Sequence, residues 1–345
     1  MKTLKTAYVY HPIYLEHNQP SHPENALRLE RILNTLGDEG VLERLALLEP
    51  RPATEEELLQ VHTARHIESV RQVAERGGGH MDADTYVSPR SFEAAKMAAG
   101  GLVRAVEAVL AGEVANSFAL VRPPGHHATP SRAMGFCLFN NVAIAARTAL
   151  TMDEIERVFI ADFDVHHGNG TQDIFADDPD VFYFSTHQYP YYPGTGAKHE
   201  MGRGAGEGTL LNVPLPIGVG DSGYTKIFRE LVWPLTERFD PDLILVSAGY
   251  DGHWDDPLAS MNLSVSGYAT LERELVEMAE QLCDGQVIFT LEGGYHLHAL
   301  AYGVLNTFYA LLGEDEVVDP LGPSPRPEPS IDVLIEDLRD LHQLD

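Results

Sequence analysis

"RVFIADFDVHHGNG", residues 157–170, places two aspartates and two histidines in the six positions that follow an apolar run. The run, Val158 to Ala161, does not alternate polar with apolar. That pattern marks a strand buried on both faces, as in the middle of a parallel sheet. Burying ionisable groups is costly unless they are paired or bind a metal. In an extended segment residues i and i+2 share a face, so Asp162, Asp164 and His166 point the same way. Sites in open α/β sheets form beyond the carboxyl ends of strands, and this stretch is read as such an end.

Six further runs have the same short character: 6–11, 118–122, 181–186, 210–215, 243–248 and 286–291. Between them lie amphipathic stretches at 25–36, 54–75, 90–112, 139–151, 224–239, 266–282 and 298–312. Thr54 and Ser266 stand where helix caps belong. Strands alternating with helices predict an α/β fold, a doubly wound parallel sheet with helices on both faces. No internal repeat divides the chain, so a single domain is expected over 1–318. Residues 319–330, "DPLGPSPRPEPS", read as a Pro-rich linker. Residues 331–345 read as an amphipathic helix, with Ile331, Leu334, Ile335, Leu338 and Leu341 at helical spacing, packing back on the domain.

The 345 residues carry 52 acidic against 24 basic side chains, a formal charge of −28. Nucleic acid is therefore not an expected partner, whereas a cationic ligand would be drawn in. No apolar run is long enough to span a membrane. The N-terminal stretch soon meets His11 and Pro12 and does not read as a signal peptide. Two cysteines far apart, Cys137 and Cys283, fit a reducing compartment, and a cytoplasmic location is expected. Oligomeric state is left open.

Five strand ends carry the chemistry: "PPGHHATPSRAMGFCLFNN" after 118–122, "DVHHGNG" after 157–163, "HQYPYYPGTG" after 181–186, "GYDGHWDDPLAS" after 243–248 and "EGGYH" after 286–291. Asp164 and His166 offer zinc a mixed oxygen and nitrogen pair, with a third ligand from Asp255 or Asp256. His126 and His127, held after two prolines and a glycine, suit proton transfer. The Tyr295 phenol can donate to a developing oxyanion. Phe136, Tyr191 and Tyr192 suit either the walls of a narrow channel or ordinary loop packing.

Taken together, "RPPGHHA" (122–128), "GFCLFNN" (135–141), "DFDVHHGNGTQDIF" (162–175), "YYPGTG" (191–196), "SAGYDGHWDDPLA" (247–259) and "LEGGYH" (291–296) resemble the zinc-dependent histone deacetylase superfamily, with its acetylpolyamine amidohydrolases and acetoin-utilisation proteins. "HPENALRLERI" (22–32) and "DADTYVSP" (82–89) match its early part, and the resemblance runs over roughly residues 8–313. It implies the arginase-like α/β fold. It implies one catalytic Zn²⁺ on Asp164, His166 and Asp256, the last chosen over Asp255 because the family's ligand directly precedes the proline. It implies that His126 pairs with Asp162, that His127 acts on the zinc-bound water, and that Tyr295 polarises the scissile carbonyl. Gly135, Phe136 and Tyr192 would line the channel, and Asp84 would hold the substrate at the rim. A structural K⁺ or Na⁺ would sit among Asp162, Asp164, His166, Ser185 and Thr186. His167 would pack structurally. Asn169 stands where class I members have aspartate, which makes the chain class II-like. Leu263 stands near where polyamine-specialised members carry an acidic gatekeeper, and leans away from that type.

The expected function is thus a metal-dependent amidohydrolase that removes acetyl or short acyl groups from lysine side chains or related primary amines, its partner being an acetylated lysine peptide or a small acetylated amine. The alternatives are an acetylpolyamine deacetylase, a binuclear manganese ureohydrolase and a silent acyl-lysine binder. Iron(II) or cobalt(II) suits the same ligands as zinc.

Overall fold

All seven expected strands form, and an eighth joins them. The computed structural model describes residues 5–344. The first four residues of the N-terminal stretch and the last residue of the terminal segment lie outside the described residues. The strands are β1 (Thr6–Val9), β2 (Ala46–Leu48), β3 (Gly79–His80), β4 (Tyr86–Val87), β5 (Asn116–Ala119), β6 (Val158–Asp162), β7 (Val181–Gln188), β8 (Leu210–Leu215), β9 (Leu243–Ala248) and β10 (Val287–Leu291). Eight of them make one sheet in the order β2-β1-β5-β10-β9-β6-β7-β8, and every pairing is parallel. The remaining two, β3 and β4, form a small antiparallel hairpin. β6, β7, β9 and β10 are buried at every position, which is why their sequences are apolar without alternation.

The helices are α1 (Leu27–Asp38), α2 (Glu55–Leu59), α3 (Ala64–Glu75), α4 (Ser91–Leu110), α5 (Asn141–Ala149), α6 (Asn169–Phe175), α7 (Asp221–Ile227), α8 (Trp233–Phe239), α9 (Val265–Leu282), α10 (Leu297–Leu311) and α11 (Asp332–Leu341). One group, α4 with α5, packs on the sheet over β1, β5, β10 and β9; α1, α9 and α10 pack together over β5, β10 and β9 from the other side. The sheet is therefore doubly wound. Among the described residues no helix is long and apolar enough to cross a membrane.

Several expected boundaries shift for local reasons. The single helix expected over 54–75 is two. Thr54 caps α2 through a capping box with Glu57, and Thr63 caps α3 by accepting from the His66 amide. The expected cap Ser266 is displaced by Ser264, whose side chain accepts from the Gly267 amide. The helix expected over 224–239 is broken by a π-helical turn at Phe228–Val232, just before Pro234 in the first turn of α8, where the missing amide cannot close an ordinary helical bond. The terminal helix α11 buries Ile335 and Leu338 in the main core.

The five strand ends with unusual chemistry belong to β5, β10, β9, β6 and β7, which are adjacent in the sheet. Residues scattered over 126–295 are thereby brought to one edge.

Candidate metal centre and active site

β6 delivers its acids in parallel register: Asp162 lies opposite Ser185 of β7 and Ser247 of β9. Beyond the strand, Asp164 and His166 turn into the same space, and the His166 Nδ1 lies 3.2 Å from Asp164 Oδ1 and 3.1 Å from Asp251 Oδ2. The donor atoms of Asp164, His166 and Asp251 all fall within 4.8 Å of one another, and all three residues are buried. Asp251, just past β9, was passed over in the sequence; its other oxygen accepts the Val165 amide at 3.0 Å. Asp256 lies outside that tight group. Its Oδ2 accepts the amides of Tyr295 (2.7 Å) and His296 (3.0 Å), and its Oδ1 accepts that of Leu258 (2.9 Å). Burial, then the charge of Asp251, push the Asp256 carboxyl up to about 7.

Two buried carboxylates and one imidazole thus converge, with the buried Asp256 carboxyl near enough to feel the charge of Asp251, which leaves an excess of negative charge. A divalent cation relieves such an excess, and oxygen with nitrogen donors is a set zinc accepts. The residues fit the metal that the sequence implied. The backbone also makes room: a Cβ on Gly293 would lie 2.2 Å from Asp251 Oδ2 and 2.6 Å from Asp164 Oδ2, so only glycine lets β10 pass this close.

Above the cluster stand two histidine dyads. His126 Nδ1 donates to Asp162 Oδ2 at 3.0 Å, and the Tyr183 hydroxyl donates to the same oxygen at 2.9 Å. His127 Nδ1 donates to Asn169 Oδ1 at 2.9 Å, which leaves its Nε2 as the acceptor of a neutral ring. The two imidazoles are 4.0 Å apart, and their surroundings drive them in opposite directions. Burial disfavours charge on His126, yet Asp162 and Asp164 outweigh it and raise the ring to about 10. Burial and then the charges of His126 and His166 hold His127 well below the usual histidine range.

Tyr295 follows the Gly293–Gly294 turn, and the guanidinium of the buried Arg28 lies 5.1 Å from its ring centroid. Arg28 donates to the Gly294 carbonyl at 2.7 Å and the Glu292 carbonyl at 2.5 Å; no signal in "HPENALRLERI" alone assigns it to this turn.

A pocket of about 190 Å³ leads to these groups. It is lined by Asp84, His126, His127, Gly135, Phe136, His166, Tyr191, Tyr192, Leu258 and Tyr295. Phe136 meets Tyr295 edge-on at 5.9 Å and Tyr192 meets His127 edge-on at 5.2 Å, so the aromatics are walls. Gly135 has φ +55°, and a Cβ there would stand 2.3 Å from the His127 ring. Leu263 does not reach the pocket: it is fully buried and bridges backbone with His253. The loop after Asp256 turns at Pro257 and shows the pocket Leu258 instead. Ser185 Oγ bonds His187 Nδ1 at 3.0 Å, and the buried Thr186 side chain lies beside the Tyr224 hydroxyl. His167 is tied to Thr195 Oγ1 at 2.7 Å and Gln172 Oε1 at 3.0 Å, away from the pocket lining.

A fully parallel sheet with this cluster at its central strand ends defines an α/β protein with a candidate metal-binding site at the carboxyl edge of its sheet. The histone deacetylase domain profile matches residues 22–311, and the chain belongs to that family. A probable deacetylase of Archaeoglobus fulgidus is 45% identical over 314 residues, covering 90% of this chain and 87% of the relative. Histone deacetylase 14, chloroplastic, of Arabidopsis thaliana is 42% identical over 321 residues, covering 88% of this chain and 76% of the relative. The crystal structure of the HDA15 HD domain superposes with a TM-score of 0.89 at 36% identity, covering 99% of this chain and 95% of that one.

Proposed function

We propose that the protein is a zinc-dependent deacylase that removes acetyl or similar short acyl groups from lysine side chains or related primary amines. The observation that carries this reading is the pair of dyads, His126–Asp162 and His127–Asn169, set beside the Asp164–His166–Asp251 cluster at the end of an aromatic-walled pocket. Asp164, His166 and Asp256 would hold the ion in this reading, and Asp251, whose Oδ2 lies against the same His166 Nδ1 as Asp164, adds a further carboxylate beside them. Zinc supplies Lewis-acid polarisation of a carbonyl and lowers the pKa of water. His127 Nε2 takes a proton from the attacking water and delivers it to the amine nitrogen as the amide C–N bond breaks, the acyl group leaving as a carboxylate. His126, kept cationic by Asp162, provides fixed positive charge. The Tyr295 hydroxyl donates to the carbonyl oxygen as it gains charge.

Phe136 and Tyr192 suit the linear methylenes of a lysine side chain, and Asp84 at the mouth suits the substrate's backbone amides. Leu258 is apolar where the loop after Asp256 reaches the pocket, which leaves Asp84 as the acid of the lining; with Asp84 engaged by the substrate's backbone amides, lysine is favoured over a polyamine. A monovalent cation near Asp162, Asp164, His166, Ser185 and Thr186 would draw on these buried oxygens as ligands. Two buried free cysteines suit a reducing compartment such as the cytoplasm.

The test compares turnover of an acetyl-lysine peptide with that of acetylated putrescine and spermidine, before and after chelation and zinc return. Chelation should abolish activity and zinc restore it, with the peptide turned over faster. Faster polyamine turnover replaces the substrate assignment. Activity on guanidino compounds with two manganese ions bound, or acyl-lysine binding without turnover, overturns the reading itself.

A further inference from the structure

The Pro-rich segment 319–330 lies beyond the residues matched by the family profile and contains no helix or strand. Its composition reads as a linker, yet it is bound to the body along its length. Asp319 Oδ2 accepts from the amide and hydroxyl of Ser266 at 3.0 Å, at the start of α9. The Gly322 carbonyl accepts the Trp254 indole N–H at 3.0 Å. From there, anchors and prolines alternate. Pro323, Pro325, Pro327 and Pro329 are interleaved with Ser324, Arg326 and Glu328, and each of those three side chains is tied down. Ser324 Oγ donates to the buried Asn262 at 3.0 Å. Arg326 Nη2 donates to the Trp254 carbonyl at 2.9 Å. Glu328 accepts the amides of Gly220 (3.0 Å), Ser222 (3.1 Å) and Gly223 (3.1 Å), at the start of α7.

Proline restricts the unbound segment, so little conformational freedom is lost when it docks. A chain that needed slack here would not alternate prolines with anchors. The residue it grips at both ends, side chain and carbonyl, is Trp254. That residue is the second of the turn His253–Asp256, closed by the Asp256 amide on the His253 carbonyl at 2.9 Å. The Asp256 carboxylate in turn receives the amides of Tyr295 and His296. One short loop therefore carries a proposed metal ligand and buttresses the turn that presents the Tyr295 hydroxyl.

We propose that segment 319–330 is a positioning strap for this loop: through Gly322, Arg326 and Trp254 it fixes the backbone that sets Asp256 and Tyr295. The metal half of the proposal rests on Asp256 being a ligand; the Tyr295 half does not. None of the strap residues touches the reacting atoms, so Arg326 and Trp254 act as positioning residues.

The test uses the full chain with Trp254→Phe, which removes one indole N–H, Arg326→Ala, the double variant, and Arg326→Lys, which keeps a donor for the Trp254 carbonyl. Zinc affinity is read by chelator competition, kcat and KM on an acetyl-lysine peptide, and Tm on the metal-free protein. Groups that orient metal ligands from behind typically cost about 10–100-fold in affinity or activity when removed. The double variant should lose zinc affinity on that scale and lose kcat with KM little changed, while the metal-free Tm moves by a few degrees at most. Arg326→Lys should recover part of both losses. If the double variant does not fold, Trp254→Phe alone carries the same expectation at smaller size. Zinc affinity and kcat within twofold of the parent in Trp254→Phe and Arg326→Ala overturn the strap. Asp256→Ala is the separating control: if it keeps zinc, the ligand assignment fails, and the strap stands or falls on kcat.

Discussion

At the scale of single residues, the site divides neighbours that look equivalent in sequence. Asp255 and Asp256 are adjacent, but the Asp255 side chain is 53% exposed and pairs with His296 at 3.5 Å. Asp256 is buried and takes three backbone amides. Asp256→Ala should therefore release the metal and abolish activity, and Asp255→Ala should keep most of both; metal content by atomic absorption checks this, and the reverse result moves the ligand by one position. Asp251→Asn asks a different question. If Asp251 is a neighbour of the ion and not one of its ligands, metal should be weakened and not lost. Tyr295 separates packing from chemistry. Its phenol faces the pocket, and Tyr295→Phe removes one hydroxyl and no packing. If that hydroxyl stabilises the oxyanion, kcat should fall roughly 100- to 1000-fold, about 2.7–4 kcal/mol, with zinc content and KM nearly unchanged. Turnover within a few-fold of the parent would remove it from the mechanism.

At the scale of elements, two helix glycines carry opposite expectations. Gly37 lies near the end of α1, where a Cβ would meet only Leu42 Cδ1 at 3.8 Å. Gly37→Ala should gain helix propensity, up to about 1 kcal/mol. Gly100 lies in the middle of α4, where a Cβ would stand 2.0 Å from the Arg51 carbonyl oxygen and 2.3 Å from the Ala53 amide. Those are backbone atoms of the segment after β2, held by the Ala53 amide donating to the Lys96 carbonyl of α4 at 2.8 Å. They cannot rotate away, so the clash outweighs the propensity gain and Gly100→Ala should lower stability by about 1–3 kcal/mol. Thermal melts of the two variants should move in opposite directions; a rise for Gly100→Ala would show that the Arg51–Ala53 segment yields. Helix propensity alone predicts the same sign for both. The same limit explains the elements the pattern misplaced. α6, "NGTQDIF", is short and polar; it packs on β7 and α5, and its Thr171 amide donates to the His126 carbonyl at 3.1 Å.

At the scale of the whole molecule, buried neutral histidines make acid stability a collective property. His62 is 2% exposed; its Nδ1 donates to the Thr129 carbonyl at 3.0 Å and its Nε2 accepts the Asn140 amide at 2.9 Å. Burial, then His66, push it down to about 3; burial, then Arg238, push His342 down to about 4. An unfolded imidazole titrates near about 6.5. Below that pH the unfolded chain binds protons that the folded chain refuses, so the stabilisation is complete above about 6.5 and falls as pH drops toward the folded values. His62 alone should cost about 1.4 kcal/mol per pH unit in that window. Buried carboxyls pushed up to about 7 (Asp256, Glu292) and about 8 (Glu272) act in the opposite sense in this window, so the histidine contribution is read by difference. Between pH 6.5 and 5 the Tm of the parent should fall relative to that of His62→Gln, and parallel Tm–pH curves would contradict the burial argument. The sheet, its parallel sense and the convergence of chemistry at strand ends were legible in the sequence, because burial on both faces forces unbroken apolar runs and because acids and histidines rarely follow such runs without a task. Asp164, His166, His126, His127 and Tyr295 could be named on that ground, and the family motifs sharpened it. Other features were not legible, because they depend on distances between segments far apart in the chain. Asp251 looks like one more loop acid until β9 lies beside β6. Arg28 looks like a helix-surface cation until α1 brings it beneath Tyr295. Leu258 and Leu263 are interchangeable in composition until a turn shows one to the pocket and buries the other. Residues 319–330 read as slack because proline is common in linkers; only the docked partners of Ser324, Arg326 and Glu328 show that the stiffness serves attachment. Local periodicity determined which segments become strands and helices, and packing decided which side chains meet.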